Sequence, residues 1–183
     1  ALALAGLLEG AVPGYGDRDP IELYVLFNEL EKAGAPYDGL AVSMLVAGVV
    51  NAVGTDFHRT EMLDKLLTGR FNCCLGYSEP DHGSDVASIT TRAVRDGDGW
   101  VINGEKTWNT GIHRAHSDMI LARTSGGPGD GHGITAFLTP MDADGLVIEE
   151  YLWTFNMPTD HGRVSLTDVR LPDSAILGEE GRG

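Results

Sequence analysis

The sequence has few cations and very little cysteine. Its 183 residues include 13 Lys and Arg against 27 Asp and Glu, a formal net charge of −14 at pH 7. This balance argues against a nucleic-acid binder, because such proteins neutralise phosphates with Lys and Arg. It also disfavours docking on an anionic membrane. The only cysteines, Cys73 and Cys74, are adjacent, so no framework of spaced disulfides exists and a reducing compartment is favoured.

Long apolar runs and common nucleotide-binding motifs are also missing. The longest apolar stretch, residues 40–50, is well short of the roughly 20 residues that span a bilayer. No G-x-G-x-x-G lies between a strand and a helix, and no P-loop sequence occurs, so neither type of nucleotide site is supported. The first residues lack Met and a basic signal segment. We therefore expect a cytoplasmic protein, with this chain cut from a longer one.

Apolar residues recur at helical spacing in the first part of the chain. One stripe begins at Leu23 and closes at Gly34, and residues 40–53 are apolar on nearly all sides. A third helix is predicted to start at Thr55, which can cap it, and to end at Gly69. Residues 1–70 are therefore predicted to form a partial N-terminal helical domain.

The apolar period changes to two after Arg70. Residues 89–95 and 99–103 flank an Asp-Gly-Asp turn, which is a strong hairpin signal. Further short apolar runs are separated by turn-forming clusters, at residues 119–123, 134–139, 146–152 and 164–171. Such spacing without intervening helices predicts an antiparallel β-sandwich or barrel over residues 71–183. The predicted fold class is therefore α+β, with a helical segment followed by a β domain.

Two familiar reactive patterns in the sequence have weak support. His113 and His116 form H-x-x-H, but no nearby cysteine or carboxylate cluster completes a metal shell, so we interpret them as loop histidines. His82, Ser84 and Asp85 have the residue types of a hydrolytic triad. Residues so close in sequence do not easily reach the required geometry, and a hydrolase is disfavoured.

Two other segments could together hold a flat heterocyclic ligand. They are residues 75–85, LGYSEPDHGSD, and residues 103–110, NGEKTWNT. Trp108 could cover the apolar face of a ring, while Ser78 or Thr110 and backbone N–H groups meet its heteroatoms. Turn chemistry plus a core tryptophan explains the same residues equally well, so the residues alone leave both interpretations open.

The same two segments resemble the signature of the acyl-CoA dehydrogenase flavoproteins. Y-S-E-P-x-x-G-S-D spans residues 77–85, and N-G-x-K-x-W-x-T spans residues 103–110. Additional family-like segments follow in the expected order, at residues 133–137, 167–172 and 176–181. The resemblance covers most of the chain from Pro20 onward, and two long motifs at the right separation make it specific.

The resemblance implies a larger architecture than these residues contain. It implies a helical N-terminal domain, a middle β domain and a C-terminal four-helix bundle that forms tetramers, with FAD bound between the β domain and the bundle. The bundle and the catalytic glutamate it carries would lie beyond Gly183. Implied partners are an acyl-CoA substrate, an electron-transferring flavoprotein and further copies of the protein in a dimer or tetramer, with neither nucleic acid nor membrane.

The resemblance also assigns roles to individual residues. Leu75, Tyr77 and Ser78 match the strand end at the isoalloxazine edge, and Ser84 matches a serine that meets the FAD pyrophosphate or the CoA moiety. Trp108 matches the tryptophan beside the flavin ring, and Thr110 the threonine near N5. Glu79 matches a structural acid. Two departures stand out: Asn109 replaces the usual Ile or Val, and residues 156–161, expected in surface turns, replace a different family segment.

The implied reaction is α,β-dehydrogenation of an acyl-CoA thioester, with no catalytic residue and no metal ligand assigned within this chain. Alone, the chain is expected to bind FAD weakly and to be inactive. Two alternatives remain open. One is an oxidase, nitroalkane oxidase or monooxygenase with the same fold, and the other is a non-catalytic subunit that pairs with an active relative.

Overall fold

The computed structural model describes residues 12, 19–35, 40–155 and 157–183. The chain divides into two compact units between Asn72 and Cys73. The described helices longer than one turn lie in the first unit and the strands lie in the second. The fold class is therefore α+β, as predicted. Within these described residues, no helix is long and apolar enough to cross a membrane.

Two helices begin the first unit. Helix α1, Pro20–Lys32, starts where the Asp19 carboxylate accepts a hydrogen bond from the Ile21 N–H at 2.9 Å, with Pro20 at the first helical position. Helix α2, Leu40–Val53, buries Val46, Ala47 and Val50, which agrees with its nearly all-round apolar sequence.

The predicted third helix is divided into three pieces. They are α3, Asp56–His58, a π-helical turn, Arg59–Leu63, and α4, Asp64–Leu67. Thr55 caps the start as expected, because its hydroxyl accepts from the His58 N–H while the His58 ring accepts from the Thr55 N–H. A π-helical turn has one more residue in each hydrogen-bonded ring than an α-helical turn. An apolar repeat of 3.6 residues in the sequence does not reveal this extra residue.

The second unit is built on one connected sheet of eight strands. The strands are β1, Cys73–Gly76; β2, Arg92–Asp96; β3, Gly99–Thr110; β4, Ser117–Arg123; β5, Ile134–Pro140; β6, Leu146–Thr154; β7, Met157–Pro172; and β8, Ile176–Leu177. Their order is β6-β7-β3-β2-β4-β5-β8, and β1 pairs with β4. Most neighbours are antiparallel, but β1–β4 and β2–β4 are parallel, a pairing that the hairpin spacing did not indicate.

The main core of the sheet forms around Trp100 of β3. Its indole packs edge-on against Phe137 of β5, with 5.6 Å between ring centroids, and Ile102, Leu166 and Val169 are among the other buried residues of the cluster. Every residue of β4 is buried, because β4 pairs with β1, β2 and β5. This buried strand is the frame against which the ends of β1 and β3 are fixed.

Candidate functional site

The first predicted segment leaves β1 and runs alongside β3. Leu75 lies in β1, and Tyr77 and Ser78 follow it, all three partly buried. The Lys106 ammonium group donates a hydrogen bond to the Tyr77 carbonyl at 3.3 Å, and the Thr107 N–H donates to the Ser78 carbonyl at 2.9 Å. The two motifs, about 30 residues apart in sequence, therefore meet where β1 ends.

A buried ion pair joins these two segments. Lys106 Nζ lies 2.9 Å from Glu79 Oε1, and the two side chains are 0% and 4% exposed. The Glu79 carboxylate also accepts hydrogen bonds from the N–H and hydroxyl of Thr90, both at 2.7 Å, and from the Thr91 N–H at 2.8 Å. Burial alone would raise the pKa of Glu79, but the Lys106 charge and these donors lower it to about 2. The Glu79 carboxylate is thus ionised and both of its oxygens already accept hydrogen bonds. This suits a structural acid and not a proton-accepting base.

The second segment presents an aromatic ring and a hydroxyl beside His161. Trp108 of β3 is 50% exposed, and Thr110 stands opposite His161 of β7 in the sheet register. His161 Nδ1 lies 3.0 Å from Thr110 Oγ1, and its ring meets the Trp108 indole edge-on with 5.8 Å between centroids. The indole is therefore in contact with His161 and is also exposed enough for a flat ligand to stack on it.

The Trp108 backbone has a left-handed conformation, with φ of 63°. Such a conformation is rare for a bulky residue and costs on the order of 1–3 kcal/mol, so the surroundings must impose it. The register of β3 against β7 shifts between Lys106 and Asn109, which marks a bulge at this position. A bulge re-aims a side chain, and here the side chain is the exposed indole.

Asn109 points away from Trp108 into a buried polar pair. Its Nδ2 donates a short hydrogen bond to Asp118 Oδ2 of β4, and both side chains are 0% exposed. Burial raises the pKa of Asp118 to about 6, against the lowering effect of bonds from Cys74, Asn109 and the Gly76 N–H. A Cβ at Gly76 would lie 2.9 Å from Asp118 Oδ2, so only glycine allows this approach.

Ser84 lies in the loop that ends the first predicted segment, beyond the end of β1. It follows the short bridge between Glu79 and His82 and is exposed in the loop before residues 86–88. Among the described residues, no hydrogen bond joins Ser84 to Trp108 or Thr110. The contacts between β1, the residues after it and β3 place Leu75, Tyr77 and Ser78 beside the strand that carries Trp108 and Thr110. Ser84 lies in the exposed loop that follows them in the chain.

Arg123 connects the turn that follows Ser84 in the chain to the glycine-rich loop. Its guanidinium group is almost fully buried and donates hydrogen bonds only to backbone carbonyls, those of Ala87, Ile89, Ser125, Asp130 and His132. These bonds tie the turn at residues 86–89 to the glycine-rich loop at residues 125–133. Five donors in a fixed planar arrangement allow one side chain to fix both loops.

Sequence reasoning missed three side chains of this region. Lys106 was part of the quoted motif without a role, Asp118 was not singled out, and His161 was expected in a surface turn of no clear consequence. The structure places His161 inside β7, opposite Thr110, while Asn156 lies outside the described residues. Asp118, a carboxylate directly before the apolar run at residues 119–122, was the available signal; nothing in the local pattern around Lys106 or His161 indicated their burial or pairing.

The exposed residues of this surface fit a flavin. A hydroxyl and an open indole lie side by side, so a planar heterocycle could stack on one and hydrogen-bond to the other. The donor set contains no grouping suited to a metal: no cluster of three His, Cys, Asp or Glu side chains occurs in the part of the chain that the structure describes. The fold and the surface together define an α+β protein whose β unit presents a half-exposed indole beside a hydroxyl.

Comparison with known proteins identifies the family. The family model described as acyl-CoA dehydrogenase, middle domain, matches residues 74–169, slightly more than half of the chain. The chain therefore belongs to the acyl-CoA dehydrogenase family. It is 31% identical over 174 residues to acyl-CoA dehydrogenase FadE29 of Mycobacterium tuberculosis, covering 93% of this chain and 43% of the relative.

Solved structures of the family superpose on most of the chain. The Tcur3481–Tcur3483 steroid ACAD matches with a TM-score of 0.82 and 34% identity, covering 91% of this chain and 42% of that one. The ChsE4–ChsE5 complex of M. tuberculosis matches with a TM-score of 0.82 and 33% identity, covering 91% and 43%. This chain spans less than half of the length of each of these relatives.

Proposed function

We propose that the protein to which this chain belongs is an FAD-dependent acyl-CoA dehydrogenase, which removes the α-proton and the β-hydride of an acyl-CoA thioester. Family membership supports the reaction class, and relatives such as FadE29 carry that name. The observation that carries the proposal for this chain is the Trp108 surface. An indole held in a strained conformation, with half of its area open beside a hydroxyl, has no evident purpose in packing alone.

Bound FAD would supply the hydride acceptor for this reaction. The residues of this chain would hold and orient it. Trp108 would cover one part of the ring and exclude water, while the Thr110 hydroxyl would hydrogen-bond to its polar edge. Leu75, Tyr77 and Ser78, fixed at the end of β1 by Lys106 and Thr107, would line the adjoining edge.

Ser84 would serve the phosphate-bearing part of the cofactor or substrate. Its exposed position, just before a turn that Arg123 binds through the Ala87 and Ile89 carbonyls, suits contact with a pyrophosphate or with CoA. No catalytic base is assigned to this chain. Glu79 is excluded from that role because its carboxylate is already bound by Lys106, Thr90 and Thr91.

The direct test is spectroscopic. The complete open reading frame should purify with a flavin absorption spectrum, and an acyl-CoA added anaerobically should bleach it. Trp108→Ala should weaken FAD binding, whereas Trp153→Ala, which removes another exposed tryptophan of the same sheet, should not. A complete protein that never binds flavin after reconstitution with FAD contradicts the proposal.

Rapid reoxidation of the reduced flavin by air would favour an oxidase or monooxygenase of the same fold, whereas a dehydrogenase should pass its electrons to an electron-transferring flavoprotein.

A second candidate is a subunit of a heteromeric enzyme. Two of the similar solved structures, Tcur3481–Tcur3483 and ChsE4–ChsE5, each pair two different chains. In this case the chain would work beside a related partner instead of in a homodimer or homotetramer. Co-expression with neighbouring family members, followed by measurement of the native mass, distinguishes the two assemblies. A cytoplasmic location is part of both proposals.

A further inference from the structure

We propose that His161 is a positioning residue that fixes the direction of the Thr110 hydroxyl hydrogen. The inference rests on the proposed function, because it concerns how this surface meets a flavin. Thr110 and His161 are direct partners across β3 and β7, and Thr110 Oγ1 lies 3.0 Å from His161 Nδ1. This is a normal hydrogen-bond distance, so the imidazole decides whether the hydroxyl donates or accepts.

The Nδ1–H tautomer of His161 is part of this proposal. Asp160 Oδ1 lies 3.6 Å from the same Nδ1, and in the other tautomer the Nδ1 lone pair would face this carboxylate oxygen. The Asp160 carbonyl accepts a hydrogen bond from the Gly111 N–H at 2.9 Å, which fixes this part of β7 beside the end of β3. His161 therefore donates to Thr110, and the threonine oxygen is the acceptor of that bond.

The Thr110 hydrogen is consequently directed away from the imidazole. Its alternative acceptor, the Trp108 carbonyl, lies at 3.5 Å, the upper limit for a hydrogen bond and a weak competitor. The hydroxyl can thus donate to an acceptor on the ligand, such as a ring nitrogen of an oxidised flavin. The edge-on contact with Trp108 fixes the imidazole plane, so His161 orients both side chains of the surface.

A double-mutant cycle on FAD binding tests this inference. The complete open reading frame is prepared without flavin and titrated with FAD, with flavin fluorescence reporting the Kd. His161→Leu removes the donor, and we expect the Kd to rise about 2- to 12-fold, the value of one neutral hydrogen bond. His161→Asn places an amide N–H near the former Nδ1 position and should restore the Kd to within about twofold of wild type.

The decisive comparison is made in a Thr110→Val background. If His161 acts through the hydroxyl, His161→Leu should have no further effect on the Kd once Thr110 has lost it. Ser165→Ala is the control, because Ser165 lies on the same strand and its hydroxyl binds Glu149 instead; its Kd should equal that of wild type. Thermal unfolding verifies that each variant is folded, and His161→Phe replaces His161→Leu if the latter does not fold.

Two results overturn the inference while leaving the proposed function intact. One is an unchanged Kd in folded His161→Leu and His161→Phe, and the other is an effect of His161→Leu that persists undiminished in the Thr110→Val background. A wild-type protein that does not bind FAD at all overturns the proposed function itself, together with this inference.

Discussion

Replacing Lys106 by Met should destabilise the β unit about as much as truncating a large buried side chain. The change removes one member of a buried ion pair whose side chains are 0% and 4% exposed, and leaves the Glu79 charge without compensation. Removing one partner of a buried pair typically costs 3–5 kcal/mol. The pKa of Glu79 points in the same direction, because, in spite of burial, Lys106 together with the Thr90 and Thr91 donors lowers it from 4.5 to about 2.

The lowered pKa of Glu79 also predicts how the stability of the β unit changes at acid pH. Because the folded-state pKa of Glu79 is below its ordinary value, its contribution is fully present above about pH 4.5 and is lost as the pH falls toward about 2. Wild type should therefore lose stability over this window. In Lys106→Met the pKa of Glu79 should move upward, so the same contribution should disappear at higher pH.

Urea unfolding followed by tryptophan fluorescence measures these effects, since Trp100 is 3% exposed in the main core of the sheet while the other two indoles, Trp108 and Trp153, are already exposed in the folded state. The double variant Lys106→Met with Glu79→Gln should recover part of the loss, because no uncompensated charge remains. Arg182→Met is the matched control: its ion pair with Glu179 is exposed, and little measurable change is expected. A loss below about 1 kcal/mol in Lys106→Met, with an unchanged acid profile, would refute the reasoning.

Two other substitutions have equally definite signs. Burial raises the pKa of Asp118 from 3.8 to about 6, so wild type should lose stability relative to Asp118→Asn as the pH rises between these values. Urea unfolding of both proteins at pH 4, 5 and 6.5 measures this difference in stability. A difference that does not change with pH would contradict the prediction. Trp108→Gly should be more stable than Trp108→Ala by about 1 kcal/mol, because only glycine adopts a φ of 63° without strain. Chemical denaturation of both variants checks this. If the Ala variant were the more stable one, as is usual inside a strand, the prediction would be wrong.

The strands built on local apolar patterns were predictable from the sequence. The hairpin of β2 and β3 follows from its Asp-Gly-Asp turn, and the runs that became β4 and β5 differ from the predicted bounds by no more than two residues at either end. In these strands, the apolar residues bury themselves against immediate neighbours, so the sequence contains the necessary information. The α+β order of the chain follows from the same change of period.

The second half of β3 was not predictable in this way. Residues 104–110 contain no apolar alternation, yet Lys106 and Asn109 are fully buried. Their partners, Glu79 and Asp118, lie 27 and 9 residues away, and one of them belongs to a strand on the other side of β1. A buried polar side chain is stable only with its partner in place, so its position depends on tertiary pairing that no local pattern reports.

The buried pairs also explain why the candidate site is where it is. The Lys106–Glu79 pair precedes Trp108 and the Asn109–Asp118 pair follows it, so the backbone is fixed on both sides of the strained residue. A left-handed tryptophan persists only when its surroundings over-determine it. The same two pairs that stabilise the β unit therefore aim the indole outward, and the geometry of the ligand surface is a direct consequence of where the sheet buries its charges.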